Sequence, residues 1–272
     1  MSFFARKVVT ITGSSNGIGR STAEFFARAG ARLTITGRNV ESLEETRGLC
    51  LKAGVKDEDI FQLTGQITDA SFNERLISET VEKFGQLDVL VNNAGGTVFD
   101  MTGKKGIDVP LENYDRIMDI NVRSVLRLSQ LAVPHLEKTK GAIVNVSSIA
   151  ALPLASSDAY YAASKSALDQ LTVQMAATLI GKDIRVNSVN PGVILTNFAA
   201  SVGLPKEKME ELFNQMFADC SSVIPLGRYG QAEDIAKIIL FLADRSQSEI
   251  IVGQRIIADG GSVLKNCLFS IG

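Results

Sequence analysis

The sequence predicts an α/β domain, a doubly wound parallel sheet with helices on both faces. Three observations carry this. Short apolar runs rich in β-branched residues alternate with amphipathic stretches of helical length. The first run ends in a glycine-rich turn, and no Pro- or Ser-rich linker divides the 272 residues. In such sheets ligands bind beyond the carboxyl ends of the strands, so the residues just after each strand are the candidates for function.

The elements follow in order. KVVTITG (7–13) is a strand ending in glycine, followed by the amphipathic IGRSTAEFFARAG. ARLTITG (31–37) is the second strand, with a charged helix from Val40 to about Lys52. IFQLT (60–64) precedes a helix from about Ser71 to Phe84, and LDVLVNNAG (87–95) is the fourth strand. One long helix is expected from about Leu111 to Lys138, then the strand AIVNVSS (142–148) and a helix from about Asp158 to Ile180. IRVNSVNPG (184–192) and IIVGQRIIADGG (250–261) supply the last strands. Two segments break the rhythm, 97–110 and about 196–225; loops of that length in an α/β domain serve as lids or binding loops. The chain therefore reads as a single domain, 1–272, with a substrate-binding lid at about 196–225.

Composition narrows the chemistry. Hydrophobic residues are 45% and charged residues 21% of the chain, a balance that supports a sizeable core. The net charge of -2 gives no basic field for nucleic acid or an anionic membrane. The chain lacks a run of about 18 apolar residues and starts directly into a strand, so the expectation is a soluble cytoplasmic protein. Cys50, Cys220 and Cys267 are scattered, which favours reduced thiols. His135 is the single histidine, so a His-based triad or multi-His metal centre is not expected, and no metal is predicted.

After the first strand comes Thr12-Gly13-Ser14-Ser15-Asn16-Gly17-Ile18-Gly19. Glycines between a strand and a helix let the backbone turn sharply and approach a ligand, while the helix N-terminus offers free N–H groups to a phosphate. No Lys-Ser/Thr pair follows, so this is not a nucleotide-triphosphate loop. The second strand ends Thr36-Gly37-Arg38-Asn39. An acid there suits a ribose 2′-hydroxyl, whereas an arginine suits a 2′-phosphate, which it grips bidentately. Arg38 with Asn39 therefore predicts NADP(H).

These motifs, with Asn92-Asn93-Ala94-Gly95, Asn121, Ser148, Tyr161-Ala162-Ala163-Ser164-Lys165 and Pro191-Gly192, occur in the order found in the short-chain dehydrogenase/reductase family. The resemblance runs from about residue 6 to 262 and is similar in detail to NADP-preferring carbonyl reductases, tropinone-reductase-like and glucose-dehydrogenase-like members among them. It implies a Rossmann-type sheet of about seven strands, a nicotinamide cofactor and a catalytic set of Asn121, Ser148, Tyr161 and Lys165. It assigns Thr12, Gly13, Ser15, Asn16, Gly17, Ile18 and Gly19 to the cofactor turn. Asn93, Ala94 and Gly95 line the adenosine side, and Pro191, Gly192, Ile194 and Thr196 hold the carboxamide. Many members place an aspartate after the third strand for the adenine amino group; here Gln66 carries a side-chain oxygen able to accept that bond. A homotetramer is implied by the same analogy.

Helix geometry separates the adjacent tyrosines. Residues four apart share a face, so Lys165 stacks with Tyr161, whereas Tyr160 lies about 140° away and pairs with Ser164. A nearby ammonium favours a phenolate, which makes Tyr161 the expected acid and base and Tyr160 a packing residue. Strand alternation lets only one of Ser147 and Ser148 face the site. The family spacing of thirteen residues before the tyrosine selects Ser148. The resemblance has Lys165 bind the nicotinamide ribose and Asn121 hold a water.

The expected reaction is hydride transfer between NADP(H) and a small carbonyl or secondary alcohol. Two alternatives stay open: a binding-only NADP(H) regulatory protein, and an NAD-dependent alcohol dehydrogenase. The apolar residues Phe198, Leu204, Met209, Leu212, Phe213, Met216 and Phe217 either pack an amphipathic helix or form an apolar lid, with Thr97 and Val98 lining the same pocket.

Overall fold

The computed structural model describes residues 2–98, 104, 106–153, 156, 158–195 and 224–265. Its centre is a seven-stranded sheet, built from β1 (Val8–Ile11), β2 (Arg32–Gly37), β3 (Ile60–Thr64), β4 (Val89–Asn92), β5 (Ala142–Val146), β6 (Arg185–Pro191) and, late in the chain, β9 (Arg255–Ala258). The order is β3-β2-β1-β4-β5-β6-β9 and every pairing is parallel. The chain winds outward from β1 to β3, then crosses back to place β4 on the other side of β1. That reversal opens a crevice at the carboxyl ends of β1 and β4.

Parallel strands need crossovers, and the helices supply them: α1 (Gly17–Arg28), α2 (Val40–Lys52), α3 (Ala70–Phe84), α4 (Leu111–Met118), α5 (Ser124–Thr139), α6 (Ala159–Leu179) and α7 (Ala232–Ala243). Strand alternation sends each apolar run into two cores. Val9 and Ile11 pack with Phe26 of α1, Leu43 of α2 and Ile239 of α7. Val8, the residue before Val9, points the other way and joins Leu76 of α3, Leu136 of α5 and Ala176 of α6 on the opposite face. Being covered on both sides is why these strands read as continuous apolar runs.

The segment expected as one helix is broken. Between α4 and α5 the residues Asp119–Arg123 form a π-helical turn. The widened turn turns Asn121 inward, where it is fully buried. Sequence periodicity missed this, because one extra residue in a hydrogen-bond ladder leaves no mark on composition. Two-residue strands β7 (Ile194–Leu195) and β8 (Gly230–Gln231) pair in parallel at either end of the segment expected as a lid. Thr196 and residues 197–223 of that lid lie outside the described residues, as do Cys220, Cys267 and the tail from 266. Among the described residues, no helix is long and apolar enough to cross a membrane.

Candidate active site

The crevice holds a cleft of about 720 Å³ that runs from the glycine turn to the start of α6. Its floor is the turn after β1. Gly13 has φ 64° and Gly17 φ 52°, a left-handed backbone that favours glycine. The turn is tied to β4 from beneath. The Thr12 hydroxyl accepts from the backbone N–H groups of Asn93 (3.0 Å) and Ala94 (2.9 Å). In return, Asn93 Nδ2 donates to the carbonyls of Thr12 (2.8 Å) and Gly13 (3.0 Å). A Cβ on Gly19 would stand 2.3 Å from the Gly13 carbonyl oxygen and 2.5 Å from Asn93 Nδ2, so only glycine lets the helix begin there.

Ser15, Asn16, Gly17 and Ile18 line the cleft, while Thr12 and Gly19 are buried beneath it. Asn16 begins α1 in extended conformation without a side-chain cap, which leaves the helix N-terminus to offer N–H groups and its positive end to an anion. Arg38, exposed at the end of β2, and Gln66, after β3, also line the cleft. Asn39 is placed differently. Its side-chain oxygen accepts from the Ser42 N–H at 2.7 Å and caps α2, and it is absent from the cleft wall. Ala94, Gly95, Pro191, Gly192 and Ile194 complete the wall. A glycine cradle and an uncapped helix N-terminus together fit the pyrophosphate of a dinucleotide, with Arg38 at the far end of the cleft.

At the other end of the cleft stand Ser148, Tyr161 and Lys165. Asp158 caps α6, accepting the Tyr161 N–H at 3.1 Å, which fixes the first turn. Lys165, one turn on and 3% exposed, donates from Nζ to the Val146 carbonyl at 2.9 Å and lies 5.6 Å from the centre of the Tyr161 ring. Tyr160 turns elsewhere: its hydroxyl donates to the Val109 carbonyl at 2.8 Å and its ring packs edge-on against Tyr114. Ser147 is buried and donates to the Lys165 carbonyl at 3.4 Å, whereas the Ser148 hydroxyl accepts from the Ala150 N–H at 3.1 Å and reaches Tyr161.

The electrostatics differ from the expectation that Lys165 makes Tyr161 acidic. Burial pushes the Tyr161 phenol up to about 12; the Ser148 hydrogen bond pulls it down, and the Asp158 carboxylate pushes it up again. Burial likewise lowers Lys165 to about 8, with Asp169 acting in the opposite sense. Desolvation thus outweighs the pairing that the helix spacing suggested.

Asn121 clamps the loop after β4. Its Oδ1 accepts the Gly96 N–H at 2.9 Å, and its Nδ2 donates to the Gly96 carbonyl at 2.8 Å and to Ser164 Oγ at 2.9 Å. Both amide hydrogens are used, so a water held by this side chain would rest on Oδ1. Gly95 gives the loop its close approach: a Cβ there would be 2.9 Å from Asn121 Oδ1 and 3.1 Å from Lys165 Nζ. Ser164, expected to pair with Tyr160, instead completes the clamp by donating to the Tyr161 carbonyl at 2.7 Å. Asp158 was also missed, though an acid just before a helical run is a readable capping signal. Its second oxygen accepts from the Thr97 hydroxyl, which lines the cleft. Among the described residues, no three His, Cys, Asp or Glu side chains gather in a group that could hold a metal ion.

Comparison with known proteins places this geometry. A family model described as enoyl-(acyl carrier protein) reductase matches residues 13–263. The chain is 36% identical over 263 residues to 3-oxoacyl-(acyl-carrier-protein) reductase FabG of Thermotoga maritima, covering 95% of this chain and 98% of that one. Among solved structures, a Caenorhabditis elegans short-chain dehydrogenase/reductase of unknown function, with cofactor, superposes with TM-score 0.93 at 46% identity, covering 96% and 97% of the two chains. The glucose dehydrogenase of the same organism, in its apo form, gives TM-score 0.79 at 43% identity, with coverage of 96% and 99%. With a family match across nearly its whole length and relatives this similar, the chain belongs to the short-chain dehydrogenase/reductase family of oxidoreductases.

Proposed function

We propose that this protein transfers a hydride between NADP(H) and a small carbonyl or secondary alcohol, with Tyr161 as general acid and base. One observation carries the reading: Ser148, Tyr161 and Lys165 converge in the same cleft that begins at the glycine turn. When bound there, the nicotinamide supplies the hydride for reduction or takes it up in oxidation. The glycine turn and the first N–H groups of α1 would hold the pyrophosphate, and Arg38, at the far end of the same cleft, would grip a 2′-phosphate.

In reduction, Ser148 Oγ and the Tyr161 hydroxyl hold the carbonyl oxygen. As negative charge develops on that oxygen, Tyr161 releases its proton to it, and the ammonium of Lys165 stabilises the phenolate left behind. The phenol, held near 12 by burial, is protonated at neutral pH, the form needed to donate. A positioned proton transfer contributes about 10²–10⁴ in rate, with a comparable contribution from the Ser148 hydrogen bond.

The test is NADPH oxidation against a panel of ketones and aldehydes, with NADPH affinity measured separately. Turnover with NADPH and weaker use of NADH supports the reading. Tight NADPH binding with no turnover on any carbonyl points to a binding-only protein. In Arg38→Asp, preference for NADPH over NADH should fall by about tenfold or more, the loss of one bidentate phosphate contact. An unchanged preference removes Arg38 from the cofactor site.

A further inference from the structure

We propose that Asp169 is a positioning residue for this site, the buried counter-ion that holds the Lys165 ammonium in its working state without touching substrate or cofactor. The inference rests on the function proposed above. Asp169 sits four residues after Lys165, one helical turn further along α6 and on the same face. Both side chains are 3% exposed. The carboxylate is held at one oxygen only: Oδ2 accepts from Asn190 Nδ2 at 2.7 Å. That same nitrogen donates to the Ser148 carbonyl at 3.1 Å, and Asn190 Oδ1 accepts from Ser188 Oγ at 3.0 Å, so Asn190 is itself locked. Oδ1 of Asp169 has no hydrogen-bond partner among the described residues.

A buried carboxylate with an unmatched oxygen is costly unless a cation stands close. Lys165 is the buried cation one turn away on the same face of α6. Its Nζ is bonded to the Val146 carbonyl, not to the carboxylate, so Asp169 acts on it through space and opposes the burial that lowers the lysine. Few other charges compete around it. On α6 itself the titratable neighbours are Tyr161 and its cap Asp158. β5 meets Lys165 with the Val146 carbonyl, and the one charged side chain of β5 and β6, Arg185 at the start of β6, is turned to Ser248 and the Ala243 carbonyl. The π-helical turn contributes neutral Asn121, while its Asp119 and Arg123 pair with each other at 2.9 Å on the surface. The charged residues of α4, Glu112, Asp115 and Arg116, are exposed. Asp169 is thus the buried negative charge within a turn of the ammonium.

The test reads the lysine directly, on the full chain, and needs no turnover. Because Lys165 lines the cleft, a small acylating reagent can reach it; competitive labelling with acetic anhydride across a pH series, followed by mass spectrometry of the Lys165 peptide, gives its titration midpoint. Wild type should titrate near 8. Asp169→Asn should move the midpoint down by about one pH unit or more, and Asp169→Glu, which keeps the charge, should stay with wild type. Asp169→Ser repeats the uncharged test should D169N fold poorly. A midpoint unmoved in D169N, or moved equally in D169N and D169E, overturns the proposal. A protein that reduces no carbonyl yet shows the D169N shift overturns the oxidoreductase reading and leaves the counter-ion standing.

Discussion

Gly19→Ala probes the cradle most cleanly, since it adds one methyl group at a point where the backbone itself is in the way. The new Cβ would fall 2.3 Å from the Gly13 carbonyl oxygen, against the 3.0 Å below which real Cβ contacts essentially never occur. The two must separate by about 0.7 Å, and neither can swing aside, because the obstruction is main chain and Asn93 Nδ2 is already bonded to Thr12 and Gly13. The turn therefore has to shift as a unit relative to the start of α1. Losing the equivalent of two backbone hydrogen bonds to phosphate, about 1.5 kcal/mol each, gives about 3 kcal/mol, or roughly a hundredfold in the NADPH dissociation constant. Fluorescence titration of NADPH measures this. Gly48→Ala is the control: it lies within α2, nothing stands within 4 Å of its Cβ, and the change should stabilise the helix by about 0.5–1 kcal/mol with affinity unaltered. If G19A binds NADPH as tightly as G48A, the turn is not the phosphate cradle.

Three further outcomes follow from the same geometry. Asn121→Ala removes three hydrogen bonds, two to Gly96 and one to Ser164, and should cost about 3 kcal/mol in urea unfolding; a cost under about 1 kcal/mol would mean the clamp is not a structural tie. Lys165 has a folded-state value near 8, below its ordinary 10.5, so the native state binds fewer protons than the unfolded chain between those limits. Its burial cost is fully present below about pH 8 and relieved as pH rises; wild type should therefore gain roughly 2–3 kcal/mol relative to Lys165→Met between pH 7 and pH 10, by unfolding at each pH. Equal stability differences at both pH values would place Lys165 in a wetter environment than the fold suggests. Asp158→Ala should lower the Tyr161 pKa slightly while weakening α6 by about 1 kcal/mol, read by the phenolate absorbance and by thermal unfolding; a raised phenol pKa would contradict the placement of its charge.

Much of the architecture was legible in the chain because both signals involved are local. Alternation of buried strands with amphipathic helices set the parallel sheet, and the glycine turn marked a ligand-binding position beyond the first strand. The choice of Tyr161 over Tyr160 needed only the helical repeat, and the structure does send the two rings in different directions. What escaped the sequence depends on contacts between distant segments or on depth. Asn190 lies 21 residues from Asp169, with no pattern linking them. The π-helical turn hides inside an unbroken amphipathic stretch. Asn39 reads as a cleft residue from its place after β2, yet the demand of α2 for an N-cap takes its side chain. The direction of the Tyr161 shift could not be read from spacing, because the helix shows that an ammonium is near but not how far burial desolvates the two groups.

The central claim is that the Tyr161 hydroxyl delivers the proton to the substrate oxygen. Stopped-flow NADPH oxidation by Tyr161→Phe, on a carbonyl that the wild type reduces, tests it with a single atom removed. The rate should fall by about 10²–10⁴ while NADPH affinity stays close to wild type. A variant that keeps more than about a tenth of the wild-type rate would show that the proton comes from elsewhere.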